Sequence, residues 1–255
     1  MGLLQALLRR FAKRGKKESA SKESPLSAFA VLSELPQSPV EASQEEADAF
    51  KRDAPLPWTR IKRSALVVHR PIQITIRIFA ALAIPDDVAA RLLALQKGVG
   101  GAKWRPRENL HLTLRFFGEI AEPVANDVAE ELADLADRTK PFELQLKSAG
   151  WFGKEDPHAL WIGAAETPAL KKLAADCERA ARRAGLAPEP RKFSPHVTLA
   201  YLNNADLGRV KDFGARLGLF ESRPFEVESL GLYSSWTRKN APSLYRLEAE
   251  YFLRG

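Results

Sequence analysis

The sequence predicts an α+β domain with two pseudo-symmetric lobes, each of mainly antiparallel sheet with outer helices, around a central cleft. Three observations lead to this fold class. Composition changes near residue 76, where apolar residues begin to recur at strand and helix spacing. Strand and helix patterns then alternate along the chain. Finally, the pattern His-x-Thr-Leu occurs twice, at 111–114 and 196–199, each time after a strand–helix unit. Such a repeat predicts two similar halves that present their His-x-Thr strands to one cleft.

The first 75 residues are predicted to be a basic, disordered extension outside this domain, which spans 76–255. Residues 15–59 are rich in Ser, Glu, Lys, Ala and Pro, and such segments bury too little apolar surface to offset the entropy of ordering. Near the start, Leu3, Leu7 and Phe11 lie at helical spacing among basic residues. This pattern is typical of a membrane-surface helix or a targeting segment, but also of a solvated tail. We favour the tail and expect no stable membrane association.

The net charge of +7 lies mostly outside the predicted domain. Residues 1–24 carry +5, whereas 76–255 carry only +2. The charge is therefore poor evidence that the folded part wraps long nucleic acid. The chain has one cysteine, so an internal disulfide is impossible, which fits a reducing compartment. We expect a cytoplasmic monomer.

The first half of the domain contains strand, helix, strand and helix patterns in that order. Residues 76–85 read as a buried strand that ends at a proline. Asp86 and Asp87 can cap the helix that follows, and Gly98 can end it. Residues 111–117 alternate as a strand, and an apolar stripe at helical spacing predicts a helix over 123–138.

The second half repeats this order with additional strands. Thr167 followed by Pro168 is a typical helix start, and Gly185 is a typical end. Cys177 falls on the apolar face of this helix, so we interpret it as core packing rather than a nucleophile. Strands are predicted around this helix and after it, at 142–150, 159–163, 195–202, 225–233 and 244–253.

Alternation along each His-x-Thr strand places its polar residues on one face. In the first copy, His111, Thr113 and Arg115 share a face, and in the second copy His196 and Thr198 do. Two histidines can supply a neutral base and a protonated acid near neutral pH. Two threonine hydroxyls can donate to phosphoryl oxygens. The set therefore predicts in-line displacement at a phosphate, with His111 and His196 as catalytic residues.

Other readings of the histidines are possible. One His-x-Thr-Leu strand by itself is more typical of a packed, half-buried histidine, but two copies among four histidines favour a catalytic pair. A metal site needs about three protein ligands, and the sequence has no His-Glu-x-x-His or Cys-x-x-Cys spacing. Neither glycine-rich nucleotide-binding motif is present either. We therefore expect no metal and no cofactor.

These residues resemble the paired signatures of the 2H phosphoesterase superfamily. The segments at 76–85, 104–119 and 193–200 are similar to its bacterial RNA 2′,3′-cyclic phosphodiesterase branch, also called 2′-5′ RNA ligase-like. The resemblance implies hydrolysis of a 2′,3′-cyclic phosphate at an RNA 3′ end to a 2′-phosphomonoester, without a metal. It also implies that His111 donates a proton to the departing 3′ oxygen and that His196 activates water. Thr113 and Thr198 would hold the phosphate.

One position departs from the family pattern. Where the family often has Arg or Lys after Thr-Leu-Ala, this chain has Tyr201. Arg115, or the basic clusters at 103–107 and 191–192, could supply the charge instead. Trp104, Trp151 or Phe152 could stack a terminal base, although buried packing is commoner for such residues. A 2′-5′ ligase, a phosphodiesterase for another cyclic nucleotide and a noncatalytic RNA-binding module remain alternatives.

Overall fold

The computed structural model describes residues 75–239 and 241–255. The predictions for the N-terminal extension lie outside these residues. The strands are β1 (Thr75–Ala83), β2 (Ala102–Trp104), β3 (His111–Ala121), β4 (Phe142–Leu144), β5 (Leu146–Phe152), β6 (Ala159–Ala164), β7 (His196–Leu202), β8 (Phe225–Val227), β9 (Ser229–Arg238) and β10 (Ala241–Phe252). The helices are α1 (Asp86–Leu95), α2 (Glu122–Asp137), α3 (Pro168–Arg183) and α4 (Leu207–Leu217), with a 3₁₀ turn at Arg107–Asn109.

Eight strands form one antiparallel sheet, and the two His-x-Thr strands lie at its centre. The order is β10-β9-β1-β3-β7-β6-β5, and β2 pairs with the end of β7. β4 and β8 form a separate pair. The α+β class with a mainly antiparallel sheet is thus confirmed. β3 has β1 as its outer neighbour and β7 has β6, so each histidine strand belongs to its own half of the sheet.

The sheet and helices bury a continuous apolar core because each helix turns its apolar face inward. α3 begins as predicted, since the Thr167 hydroxyl accepts a hydrogen bond from the Leu170 N–H at 3.2 Å. Cys177 on this helix is fully buried, and burial raises the pKa of its thiol to about 12. These contacts confirm that Cys177 packs in the core.

The start and end of α1 differ from the sequence-based prediction. Pro85 occupies the cap position and no side chain caps the helix, while Asp86 and Asp87 lie in the first turn. Their charges still suit the positive end of the helix dipole. The helix ends at Leu95, before Gly98, which has a φ of 85° in the loop that follows.

Two elements were not predicted from the sequence. Asp206 is the N-cap of α4, and its carboxylate accepts from the Arg209 N–H at 2.9 Å. Its buried face holds Val210, Phe213 and Leu217. β2 pairs with β7, and Gly101, just before β2, lies so close to Asn203, just after β7, that a Cβ would overlap the Asn203 carbonyl oxygen. In the part of the chain that the structure describes, no helix is both long and apolar enough to span a membrane.

Candidate active site

A cleft of about 1220 Å³ lies along the centre of the sheet, and both His-x-Thr pairs line it. His111 and Thr113 reach it from β3, and His196 and Thr198 reach it from β7. All four side chains are half-buried. The two copies of the sequence pattern therefore meet in one cavity, large enough for a nucleotide-sized ligand.

The register between the two central strands relates the copies to each other. Leu112 of β3 pairs with Val197 of β7 in antiparallel orientation. One residue to either side in this register, His111 lies across from Thr198 and Thr113 lies across from His196. Each histidine thus has the threonine of the other copy as its cross-strand neighbour, an arrangement with approximate two-fold symmetry.

The imidazole of His196 is oriented by its own backbone. Its Nδ1 lies 2.7 Å from the carbonyl oxygen of Ser194. A carbonyl only accepts, so this contact needs a proton on Nδ1 and leaves Nε2 as the atom that can exchange a proton with a ligand. The ring edge of Phe152, with its centroid 4.8 Å away, packs against the imidazole.

His111 has more aromatic neighbours. Its ring centroid lies 4.8 Å from that of Phe79, 5.2 Å from Tyr245 and 6.2 Å from Tyr233. It also has a hydrogen bond to the backbone of Asn109. Asn109 precedes its histidine by two residues, as Ser194 does, so both copies orient their imidazole in the same way.

In the protein alone, the surroundings of both histidines favour neutral imidazole. Burial lowers the pKa of His111 to about 4, and the positive charge of Arg105 acts in the same direction. Burial also lowers the pKa of His196, against the effect of the Ser194 hydrogen bond. A phosphate anion would oppose both shifts, since a nearby negative charge favours imidazolium.

Arg115 lines the same cleft as His111 and Thr113, but the strand is irregular between Thr113 and Arg115. A bulge in β3 lies between them, because Thr113 pairs with Ala81 of β1 whereas Arg115 pairs with the adjacent Ala80. The inserted residue breaks the alternation that places His111 and Thr113 on one face. The side chain is 9% exposed and forms ion pairs with Glu178 at 2.6 Å and Glu189 at 3.2 Å.

Further hydrogen bonds hold the Arg115 guanidinium in place. Its Nη2 donates to the carbonyl oxygen of Ala187 at 2.8 Å, and its Nη1 donates to that of Phe116 at 2.6 Å. The positive charge expected to serve a phosphate is therefore already neutralised by two carboxylates. Phosphate binding by Arg115 stays a prediction.

A sequence model of the 2′-5′ RNA ligase superfamily matches residues 84–237, which include both His-x-Thr strands. The chain belongs to this superfamily. A relative from Aeropyrum pernix, named RNA 2′,3′-cyclic phosphodiesterase, is 34% identical over 148 residues, 56% of this chain and 83% of the relative. A relative of the same name from Thermus thermophilus is 33% identical over 193 residues, 70% of this chain and 91% of the relative.

Solved structures agree with this assignment. The crystal structure of TT0787 from Thermus thermophilus matches with a TM-score of 0.60 and 26% identity, over 71% of this chain and 99% of that one. Escherichia coli LigT complexed with 3′-AMP matches with a TM-score of 0.59 and 23% identity, over 71% and 100%. The latter likeness shows the shared fold.

Three aromatic residues were considered from the sequence as stacking partners for a terminal base. Of these, Phe152 lines the cleft. Trp104 packs near Phe213, with ring centroids 6.1 Å apart. Trp151 packs against α4 at Gly214. Both tryptophans are partly buried against the core, so they serve packing.

Several residues of the cleft were missed by the sequence analysis. Tyr245 comes from β10, more than 100 positions after the first His-x-Thr copy, and nothing local in the sequence connects the two. His158, expected to be a turn residue, is exposed but also lines the cleft. Its ring stacks with Phe152 at 6.2 Å. Arg105 was not missed, since it belongs to the basic cluster at 103–107 considered from the sequence, and it lines the cleft as well.

The structure offers little for a metal ion. Across residues 75–239 and 241–255, no group of three or more His, Cys, Asp or Glu side chains could hold one. The groups that line the cleft include the two oriented imidazoles, a third histidine, threonine and serine hydroxyls, arginine and lysine side chains, three glutamates and several aromatic rings. Two of the glutamates, Glu178 and Glu189, form ion pairs with arginines of the cleft. This set suits an anionic ligand with an aromatic portion.

Proposed function

We propose that this protein hydrolyses the 2′,3′-cyclic phosphate at RNA 3′ ends to a 2′-phosphomonoester. The observation that carries the proposal is the position of His111 and His196 in one cleft, each across from the threonine of the other copy. The relatives named RNA 2′,3′-cyclic phosphodiesterase support the choice of reaction.

His196 is proposed as the base. Its Nδ1 is bound to the Ser194 carbonyl, so Nε2 can accept a proton from water. The water oxygen then forms a bond to phosphorus, and the bond between phosphorus and the 3′ oxygen breaks. His111 is proposed as the acid, which gives its proton to that departing oxygen. The products are a 2′-phosphate and a 3′ hydroxyl. A general acid or a general base each raises the reaction rate by about 10²–10⁴-fold.

The acid role requires a protonated His111, whereas burial and Arg105 lower the pKa of this residue to about 4. The substrate resolves this conflict in our proposal. Its cyclic phosphodiester carries a negative charge, which favours imidazolium and offsets the positive charge of Arg105. We therefore expect the protonated acid to form mainly in the complex with substrate.

Thr113 and Thr198 are proposed to donate their hydroxyl protons to the nonbridging phosphoryl oxygens. Each lies across from a histidine, so the phosphate they hold would lie between acid and base. For Arg115, the ion pairs with Glu178 and Glu189 favour a supporting role, in which the side chain holds the bulged part of β3.

The acid, the base and the phosphate donors are all protein groups in this scheme, so we propose that the reaction needs no metal. One chain supplies every group, so we propose a monomeric enzyme. We propose a cytoplasmic location, with which a chain of one cysteine is compatible.

The test uses a short RNA with a 2′,3′-cyclic phosphate end, incubated with the full chain and EDTA. We expect a 2′-phosphate product from the wild-type protein, and losses of about 10²–10⁴-fold in kcat/KM for His111→Ala and His196→Ala. His158→Ala is the matched control, since this third histidine lines the same cleft but has no role in the scheme. A wild-type protein that leaves the cyclic end intact would refute the proposal.

The alternatives give different results in the same assay. A 2′-5′ ligase joins the cyclic end to an added RNA with a 5′ hydroxyl. A phosphodiesterase for another cyclic nucleotide acts on that nucleotide and leaves the RNA end intact. A noncatalytic RNA-binding module retains the RNA equally well when both histidines are replaced by alanine.

A further inference from the structure

Arg105 is a buried cation in the cleft with no anion beside it. The residue is only 6% exposed. Its Nη2 is buried and has no hydrogen-bond partner among the residues that the structure describes. Within the same residues, no carboxylate forms an ion pair with it, since every described ion pair involves other side chains. Such a group is expensive to bury unless a partner arrives.

Other arginines near the cleft are satisfied in different ways. Arg107 pairs with Asp86, and Arg191 pairs with Glu189 at 2.7 Å. Arg77 also lines the cleft, but it is exposed and can be hydrated. The missing partner is therefore specific to Arg105 rather than a general property of this surface.

The backbone of Arg105 is held firmly beside the second His-x-Thr strand. Its N–H donates to the carbonyl oxygen of Leu199 at 2.8 Å. Its carbonyl oxygen accepts from the Gln96 side-chain amide at 2.9 Å. Leu199 directly follows Thr198, so the backbone of Arg105 lies beside the second His-x-Thr strand.

Two tyrosine rings fix the direction of the side chain. The Arg105 guanidinium carbon lies 5.2 Å from the ring centroid of Tyr201 and 5.6 Å from that of Tyr245. Tyr245 in turn contacts His111, with ring centroids 5.2 Å apart. Cation–π contacts of this kind stabilise a guanidinium. Its N–H groups lie in the plane of the guanidinium and remain free to donate.

We propose that Arg105 is a further substrate-binding residue, and that its guanidinium donates to the anionic oxygens of the substrate phosphate. This assignment rests on the proposed function, because it takes the substrate to be a terminal phosphodiester in the same cleft. Arginine suits the task, since its planar fork can donate two parallel hydrogen bonds to a phosphate. Arg105 would then supply the positive charge that the family often has at the position of Tyr201. The Tyr201 ring contacts the Arg105 guanidinium.

The decisive variant is Arg105→Met, which keeps the length and apolar packing against the two tyrosines but removes the charge and the donors. We expect kcat/KM on RNA with a 2′,3′-cyclic end to fall about 10–100-fold, the range for lost charge-assisted hydrogen bonds. Lys103→Met is the matched control. Lys103 is exposed, lies on β2 two residues earlier and does not line the cleft, so its loss leaves kcat/KM within about two-fold.

Equilibrium binding separates phosphate recognition from packing. Adenosine 2′-monophosphate and adenosine are titrated against the wild-type protein and the Arg105→Met variant by calorimetry. We expect weaker binding of the monophosphate, by about 10-fold or more, with unchanged binding of adenosine. Equal binding of the monophosphate by both proteins, or equal weakening for both ligands, would overturn the assignment. Arg105→Gln repeats the test if the methionine variant does not fold.

The same measurements distinguish failure of this assignment from failure of the proposed function. A wild-type protein that does not hydrolyse the cyclic end, but loses monophosphate affinity on replacement of Arg105, would refute the hydrolysis and support the phosphate contact. An active protein whose kcat/KM is unchanged by Arg105→Met would refute the contact and support the hydrolysis.

Discussion

The two His-x-Thr strands share one sequence pattern but lie in different surroundings. His111 is enclosed by Phe79, Tyr233 and Tyr245 and lies near a buried arginine. His196 contacts Phe152 and, more distantly, Trp161. Burial lowers the pKa of His196, and the Ser194 hydrogen bond opposes this effect.

This difference gives the two imidazoles separate chemical characters. In the protein alone, burial lowers the pKa of both imidazoles, and the charge of Arg105 adds to this effect at His111. The proposed acid role of His111 therefore depends on the negative charge of the substrate. Here the backbone hydrogen bonds are alike in the two copies, and the charge and the aromatic neighbours differ. The strand pattern therefore supplies the positions, and the surrounding elements supply the asymmetry.

The largest expected difference between the copies concerns their third residue. Arg115 of the first copy is held by Glu178 and Glu189, whereas the second copy has a buried alanine, Ala200. Arg115→Met leaves Glu178 without its cation, whereas Glu189 keeps its ion pair with Arg191. We expect the free energy of unfolding to fall by about 3 kcal/mol. Urea denaturation measures this change.

Arg183→Met is the control for Arg115→Met. Arg183 forms a more exposed ion pair with Glu131, for which a loss below about 1 kcal/mol is expected. If Arg115→Met kept full stability but lost more than about 10-fold in kcat/KM, Arg115 would have to contact the phosphate, as the sequence analysis expected.

Arg115 also illustrates how far the sequence predicts this site. Period-two alternation and the repeated pattern were enough to predict that His111, Thr113, His196 and Thr198 line one cleft. Both signals can be read from short stretches of the sequence. The bulge beyond Thr113 has no clear local signature, and it depends on pairing with β1. Strict alternation therefore does not foresee the bulge, although Arg115 does line the cleft together with His111 and Thr113.

Contacts between distant parts of the chain were equally hidden. Tyr245 reaches the cleft from the far end of the sheet, and Glu178 and Glu189 reach Arg115 from more than 60 residues away in sequence. No periodicity relates such positions. By contrast, α4 could have been predicted, since Asp206 and the apolar spacing of Val210 and Phe213 are visible in the sequence.

An intermediate effect is expected in the dependence of stability on pH. In the unfolded chain His111 has the ordinary pKa of about 6.5, whereas in the folded protein its pKa is about 4. Between these values the unfolded state holds more protons, so acidification favours unfolding. From pH 7.5 to pH 5 this one group should cost about 2 kcal/mol of stability.

His111→Asn removes the titrating group and retains a side-chain donor for the Asn109 backbone. We expect this variant to lose about 2 kcal/mol less than the wild-type protein over the same pH interval. Thermal or urea unfolding at several pH values measures the difference. His158→Asn, at an exposed position, should follow the wild-type curve. A His111→Asn curve parallel to the wild-type curve would mean that the surroundings of His111 do not lower its pKa.

The smallest expected effect tests whether the two-fold relation of the strands extends to the phosphate. Thr113→Val and Thr198→Val remove one hydroxyl each with little change in shape, and each should lower kcat/KM about 10-fold. Thr139→Val is the control, because the Thr139 hydroxyl donates to the Leu135 carbonyl at the end of α2 and does not line the cleft. The double variant should deviate from additivity, since both hydroxyls would hold one phosphate. If only one threonine mattered, the phosphate would be bound by one copy, and the symmetry of β3 and β7 would belong to the fold alone.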